Sequence, residues 1–550
     1  MTDATPPAEP TAPANPEPPV APSSRVTPSS PGAPGRALPS RGAAALSGVV
    51  AAGAALATGE LVAALTAGTP SPLIAVGTAV IDFAPPGSKE VIVALFGTND
   101  KIALNLLVAA TVLAAGAVIG LVARRSTLLA SLAIVALVGV GTAASLRDPT
   151  ATQTYVLLSA ALQVAAGLLV LEFLMDAARP RATAGGTPVA ADAVRRGFLV
   201  RAGVLGALAL VGQGIGRAML DARAASAASA LVTVPETVDP APTIAPENAF
   251  DIEGITPLVI ANEDFYRIDT ALIVPTVDVD AWTLRVHGMV DREVTLTFPQ
   301  LVELPLIERY VTIACVSNEV GGDLIGNAKW TGVRLTDVLD MAGVQAGATQ
   351  VVPRSVDGWA AGFPTEWVTA PERPRDALIA VKMNDEPLPV AHGFPARLIV
   401  PGLYGYVSAT KWLKEIELTT WEAFDSYWVP RGWSKEAPIL TQSRIDLPRP
   451  NALHRQGDTV QVAGVAWAMD RAISKVEVRV DDGEWTPATL TAPLGPQTWL
   501  QWRFTWPAVA GRHTLWVRAT DGEGVVQEER VTRPDPDGAR GYHSVSVQVD

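Results

Sequence analysis

Residues 308–344 read ERYVTIACVSNEVGGDLIGNAKWTGVRLTDVLDMAGV, and the only cysteine of the chain, Cys315, stands inside them. Residues 310–313 are β-branched and aromatic, which predicts a strand. Cys315 falls where that strand ends. A loop carrying Gly321, Gly322 and Gly326 follows. Trp330 and Thr331 then lead into residues 335–341, whose apolar side chains recur at helical spacing. A strand that delivers one thiol into a glycine-rich loop can present a thiolate to a large ligand, with the glycines letting backbone amides approach it. The plainer use of a lone cysteine is as a small buried hydrophobe. A soft thiolate is also a transition-metal ligand, and it can be the protein's only bond to a metal carried by an organic cofactor. Position alone leaves both uses open.

Working outward, 550 residues are enough for three or more domains. Hydrophobic residues make up 49% and charged residues 18%, a balance that suits a membrane region joined to a soluble one. A net charge of −13 argues against a nucleic-acid partner. One cysteine permits no internal disulfide and no zinc-type ligand spacing.

Residues 1–40 are rich in Pro, Ala, Ser and Thr and are expected to be disordered, because they offer too little apolar surface to bury. Residues 41–216 read as a membrane region with about five transmembrane helices. Apolar runs at 43–66, 102–123, 127–144 and 155–175 are each long enough to cross a hydrocarbon core, and a fifth, 198–215, is slightly shorter. Arg36 and Arg41 precede the first run, Arg124 and Arg125 separate the second from the third, and Arg179, Arg181, Arg195 and Arg196 separate the fourth from the fifth. The positive-inside rule places these arginines in the cytoplasm and the C-terminal portion outside it. Residues 71–83 are apolar but too short to span, so a re-entrant or interfacial segment is expected. Arg195-Arg196-Gly197-Phe198-Leu199 resembles a twin-arginine export signal. Ala225-Ser226-Ala227 could be cleaved, but retention as an anchor is expected because the signal is internal. All five histidines (His287, His392, His454, His513 and His543) follow the apolar runs. No paired axial ligands for a membrane haem are therefore present, and no haem is expected in this chain. Glu60, Glu172 and Arg201 lie near span ends, which favours anchoring over an ion path.

Residues 217–247 read as an Ala-, Thr- and Pro-rich linker. Residues 248–437 mix strands, such as 282–286 and 294–298, with short helices, such as 299–303, and read as an α+β domain. Residues 438–550 carry alternating strands at 460–465, 473–480, 498–505 and 513–520. Turns such as Asp481-Asp482-Gly483 and Asp521-Gly522 separate them. This spacing predicts an all-β immunoglobulin-like sandwich, with Trp485, Trp499, Trp502, Trp506 and Trp516 filling its core.

Four segments, in order along the chain, resemble the sulfite-oxidase family of molybdopterin enzymes. They are NEDFYRIDT (262–270), ACVSNEVGGDLIGNAKWTGVRLTDVL (314–339), SVDGWAAGFP (355–364) and MNDEPLPVAHGFPARLIVPGLYGYVSATKWL (383–413). The resemblance implies a molybdenum-molybdopterin cofactor with Cys315 as the protein's metal ligand. It implies that Asn262, Tyr266 and Arg267 face the pterin or an anionic substrate, that Ser355 and Asp357 contribute to the cofactor site, and that His392 and Arg397 contact the pterin. Ser408, Thr410 and Lys411 match the phosphate end, in a stretch one residue longer than in some relatives. One position departs. Sulfite oxidases proper carry Tyr after the Asp-Gly of the third segment, whereas here it is Trp359, which has an N–H donor but no acidic hydroxyl. Reduction of an S-oxide or N-oxide therefore stands beside sulfite oxidation as the implied oxygen-atom transfer on a small oxo-compound.

The resemblance further implies electron exchange with a separate protein or a quinone-linked partner, and a homodimer through the C-terminal domain. The rival expectation, from another class, is a membrane-anchored binding or sensor protein that keeps the fold without catalysis.

Overall fold

The computed structural model describes residues 38–66, 68–85, 100–179, 191–226, 233–272, 274–371 and 376–550. Nearly all of the proline-rich tail lies outside the described residues, as do Arg36, Arg181 and Ala227.

Among the described residues, six helices come first: α1 (Arg41–Leu65), α2 (Pro72–Phe83), α3 (Asp100–Ala123), α4 (Thr127–Ser145), α5 (Gln153–Ala177) and α6 (Ala191–Ser226). All but α2 are long and apolar enough to cross a membrane. Ser40, Ser71 and Ser126 cap α1, α2 and α4, each hydroxyl accepting a first-turn N–H. Helix α1 packs against α3, α5 and α6. At its crossing with α3 a Cβ on Gly48 would lie 1.9 Å from the Gly116 carbonyl oxygen. Small residues thus let two backbones touch where lipid gives no hydrophobic drive between helices. Glu60, expected near a span end, is fully buried; its carboxylate accepts from Ser71 Oγ at 2.6 Å and from Leu73 N–H at 3.3 Å, tying α1 to the start of α2.

The last helix departs from the expected boundary. α6 continues through 217–226, the first ten residues of the expected linker, because that stretch is rich in Ala, Arg, Met and Leu, all strong helix formers. The later part of the expected linker is also engaged. Val238 N–H donates to Leu306 O, Glu308 N–H donates to Asp239 O, and the Asp239 carboxylate meets both Arg309 and Arg334 at 2.7 Å. The segment covers the edge of a sheet that would otherwise be open.

The strands that follow are β1 (Thr283–Gly288), β2 (Val294–Thr297), β3 (Leu306–Ala314), β4 (Ile325–Arg334), β5 (Gln350–Ser355), β6 (Phe363–Pro364), β7 (Leu378–Met383), β8 (Glu386–Pro387), β9 (Arg397–Ile399) and β10 (Leu413–Thr419). They form two sheets. One has the order β2-β1-β10-β5-β6, with β1 and β10 parallel. The other has the order β3-β4-β7-β8, with β9 beside β7. Helix α7 (Leu335–Ala342) leaves β4 directly, and its apolar face is buried. Burial alternates in β1 and β2, which have one wet face, and is nearly continuous in β4 and β7, which are covered on both sides.

Beyond residue 440 two sheets pack as a β-sandwich. One contains Gln442–Leu447, Thr459–Trp467, Thr489–Leu490 and Leu500–Pro507. The other contains Leu453–His454, Ile473–Val480, Thr486–Pro487, Gly511–Asp521 and His543–Val549. Val462, Val476, Trp502, Leu515 and Val547 form the core between them.

The five tryptophans divide differently from the expectation. Trp502 and Trp506 do fill this core. Trp499, fully buried, belongs to the core of the preceding domain, where its Nε1–H donates to Leu258 O at 2.9 Å. Trp485 and Trp516 stay half-buried on the outer face, under the guanidinium groups of Arg479 and Arg518.

Candidate active site

Strand β3 pairs with β4 from Leu306↔Val333 to Ala314↔Ile325, and the next residue is Cys315. Its N–H donates to Leu324 O at 2.9 Å and its carbonyl accepts from Asn318 N–H at 3.0 Å. The Asn318 side chain accepts from Leu324 N–H at 2.8 Å, so residues 315–324 form a closed loop. Cys315 Sγ lies 2.9 Å from Ser317 Oγ and is mostly buried.

Gly326, expected in this loop, lies instead in β4, and it and the loop glycine Gly321 are surrounded by the protein's own atoms. Gly321 has φ +77°, and a Cβ there would sit 2.3 Å from the His543 ring, which comes from the sandwich. A Cβ on Gly326 would meet the Phe265 ring at 2.8 Å. Arg444 Nη1 donates to Gly322 O at 2.7 Å. The expectation that glycine admits a ligand here is replaced by a packing role: the C-terminal sandwich and the 262–270 segment seat the cysteine loop from two sides.

Cys315 opens on a pocket whose wall comes from five other stretches. They are Tyr266, Ile268, Asp269 and Thr270; Ser355, Asp357 and Trp359; Arg397; Gly405, Tyr406, Ala409, Lys411 and Trp412; and Trp428. Arg397 is 5% exposed, its guanidinium lies 5.1 Å from the Trp330 ring centroid, and Nη1 donates to His392 O at 3.2 Å. Burial lowers its pKa to about 10.

Lys411 is ion-paired with Asp269 and donates to Ala391 O at 3.0 Å. Burial outweighs that partner and pushes the lysine down to about 8. Burial also opposes ionisation of Asp269, but Lys411 and Arg267 overcome it and hold the carboxyl below the ordinary carboxylate range. Asp357 goes the other way. Its burial raises its pKa, against hydrogen bonds from Ser355 and from Trp359 N–H that stabilise the anion. Burial likewise raises the Tyr266 phenol, and the nearby Cys315 adds to the shift.

The residues singled out in the sequence separate into three groups. Cys315, Tyr266, Ser355, Asp357, Trp359, Arg397 and Lys411 line the pocket. His392, Thr410 and Ser408 lie buried near it. His392 Nε2–H donates to Asn262 O at 2.8 Å, and burial drives the imidazole pKa to about 4, so it is neutral at ordinary pH. The Ser408 hydroxyl bonds to Leu403 O and Tyr404 O, closing its own helical turn.

Asn262 and Arg267 stand outside the pocket wall. The Asn262 amide donates to Met383 O and Glu386 Oε2 and accepts from Asn384, so it pins segments together while its carbonyl orients His392. Arg267 is 47% exposed and donates to Asp269 Oδ2 at 2.9 Å. Asp269 itself was inside a quoted segment, but nothing local marked it as the partner of Lys411. Trp428 lay outside all four segments.

The donor set fits a large anionic cofactor. Buried polar groups in folded proteins are normally paired, yet Arg397 Nε, His392 Nδ1 and Thr410 Oγ1 have no partner here. They are a cation, a neutral imidazole and a hydroxyl around the pocket that the thiol opens on. Among the described residues no group of three or more His, Cys, Asp or Glu could hold a metal, so a metal at Cys315 needs ligands from an organic carrier.

Comparison with known proteins agrees with this reading. Residues 271–428 match the family model described as the oxidoreductase molybdopterin binding domain. Human mitochondrial sulfite oxidase is 30% identical over 305 residues, which are 47% of this chain and 56% of that protein. The uncharacterized oxidoreductase YuiH of Bacillus subtilis is 35% identical over 156 residues, covering 28% of this chain and 74% of that one. Among solved structures, the sulfane dehydrogenase SoxCD of Paracoccus pantotrophus aligns with a TM-score of 0.47 and 23% identity, over 56% of this chain and 86% of that one. The match spans only a little over half the length of the sulfite oxidases.

Proposed function

The chain belongs to the sulfite oxidase family of molybdopterin oxidoreductases, and from that premise we propose a membrane-anchored extracytoplasmic enzyme that removes oxygen from a neutral S-oxide or N-oxide. The observation that carries the reading is the charge balance of the pocket. Lys411 is matched by Asp269, and Arg267 is turned outward onto the same carboxylate. Among the described residues Arg397 is the remaining pocket-lining cation, and Trp359, Tyr406, Trp412 and Trp428 supply aromatic wall. Such a cavity suits a neutral oxo-compound better than a doubly charged sulfite. The identity with sulfite oxidases keeps sulfite oxidation as the second reading.

Cys315 would hold the metal, and Arg397, His392, Thr410 and Lys411 the pterin and its phosphate. When bound, that group supplies two-electron oxygen-atom transfer. The residues present supply the rest. Reduction of an S-oxide consumes two electrons and two protons and yields the sulfide and water. Asp357, with its raised pKa, is the proton carrier at the pocket wall, and the Tyr266 phenol, kept protonated by burial, is a second hydrogen-bond donor. The aromatic walls exclude bulk water.

Electrons come from a separate redox protein or a quinone-linked partner. Residues 41–216 would anchor the chain through about five spans, 248–437 would carry the cofactor, and 438–550 would form an immunoglobulin-like dimerisation domain. The arginine pattern supports an outward-facing site, and the Arg195-Arg196 pair supports twin-arginine export of the folded domain.

The test is metal content and turnover of the purified full chain. About one molybdenum per chain, with reduced viologen dye oxidised by dimethyl sulfoxide or trimethylamine N-oxide, is the expected result. Cys315→Ser should abolish that turnover while the protein still folds. A metal-free protein from a host able to supply the cofactor, or unchanged turnover in Cys315→Ser, overturns the proposal. Ferricyanide reduction by sulfite, without dye oxidation, would select the second reading.

A further inference from the structure

Three loops that build the pocket wall each rest on the same end of the helix bundle. In the first, Lys101 at the start of α3 donates to Asp269 O at 3.0 Å and to Ala271 O at 2.8 Å, and Leu272 packs on α2, where a Cβ on Gly77 would lie 3.0 Å from its Cδ1. In the second, Gly358, with φ +88°, leaves room for Pro149 in the turn between α4 and α5; a Cβ would sit 2.6 Å from the proline Cγ. In the third, burial raises the Tyr427 phenol pKa, and Asp82, near the end of α2, lies close enough for its carboxylate to help raise it further. Tyr427 also packs on Trp359 at 5.5 Å and on Trp428 at 5.1 Å, centroid to centroid.

Lys101 and Asp82 lie in the terminal turns of their helices and Pro149 in the connection after α4, all at one end of an up-and-down bundle. The wall residues Ile268, Asp269, Asp357, Trp359 and Trp428 are therefore within a few residues of chain that meets the membrane surface. Their chemistry agrees. Ile268 is half exposed, and Tyr427, Trp428 and Trp359 are half-buried rings with a polar edge. Tyr and Trp collect at the headgroup level, where one side is apolar and the other wet. Beside them Phe83 is 72% exposed, with the Arg147 guanidinium 4.7 Å from its ring, the pairing of apolar ring and reaching cation expected at an interface.

We infer that the pocket opens at the membrane surface and accepts oxo-compounds held in the lipid, of the class of an S-oxide carried on a membrane-bound molecule. The helix bundle is then a wall of the site as well as an anchor. This rests on the reductase reading, and the experiment separates the two.

The full chain is reconstituted in phosphatidylcholine vesicles containing a phospholipid whose headgroup carries a methyl sulfoxide, a probe that cannot leave the bilayer. Dimethyl sulfoxide is assayed in parallel, and reduced viologen is the electron donor for both. The lipid-tethered sulfoxide should be reduced. Lys101→Met should lower its rate at least ten-fold relative to dimethyl sulfoxide, with molybdenum content retained. Reduction of dimethyl sulfoxide with no reduction of the tethered probe overturns the membrane-facing pocket and leaves the reductase standing. An equal effect of Lys101→Met on both substrates also overturns it. Failure with both substrates in molybdenum-loaded protein removes the reductase reading and this inference together.

Discussion

Replacing Gly321 by Ala tests whether the sandwich holds the cysteine loop in place. Two costs follow from the structure. A φ of +77° puts an L-residue in the left-handed region, at about 1–2 kcal/mol. The new Cβ would also stand 2.3 Å from the His543 ring, and overpacking of this kind costs about 1–3 kcal/mol. Together they come to about 2–5 kcal/mol, applied to a loop closed by Cys315 N–H to Leu324 O.

Hydrogen exchange of the loop amides reads this directly, because local opening sets the rate. Exchange should accelerate by roughly thirty- to four-thousand-fold, at about 1.4 kcal/mol per decade, and molybdenum content should fall with it. The strain and the clash are separable. In a His543→Ala background the ring is gone, so Gly321→Ala should cost only the backbone part, about 1–2 kcal/mol, and the cycle should show coupling of similar size. Unchanged exchange in Gly321→Ala, or the same penalty in both backgrounds, would refute the seating of the loop by the sandwich.

His543 also predicts an acid sensitivity. Its Nδ1 accepts from Ile445 N–H at 2.9 Å, and burial lowers its pKa to about 4. A histidine depressed from about 6.5 makes the unfolded state bind more protons between those values. Stability is therefore level above pH 6.5 and declines as pH falls toward 4, by about 3 kcal/mol for such a shift. His392 adds to the same window. His543→Gln should flatten the decline of thermal stability between pH 6.5 and 4, and an unaltered slope would count against the buried neutral ring. At the active site, Asp357 must be protonated to donate, so turnover should fall as pH rises through its elevated pKa. Asp357→Asn should lower kcat by about 10²–10⁴-fold and remove that alkaline limb from the pH–rate profile; a limb that persists in the variant belongs to another group.

Much of the architecture was legible in the residues. Periodicity found β3, the end of the strand at Cys315, helix α7 and all five long apolar helices, because each is written in the side-chain pattern of one short segment. The four quoted segments brought Cys315, Tyr266, Ser355, Asp357, Trp359, Arg397 and Lys411 to one pocket.

Other features could be decided only when distant segments met. Gly321 looks like a ligand-admitting glycine until His543, more than two hundred residues later, occupies the space beside it. Trp499 reads as a sandwich residue, yet its indole is buried in the neighbouring domain. Lys411 and Arg267 carry the same sign of charge, and only the fold sets them on one carboxylate, that of Asp269. Backbone periodicity is a short-range property that a linear string records. Which atom fills a gap, and which charge neutralises which, are set by packing between segments far apart in the chain, and there the tertiary structure alone decides.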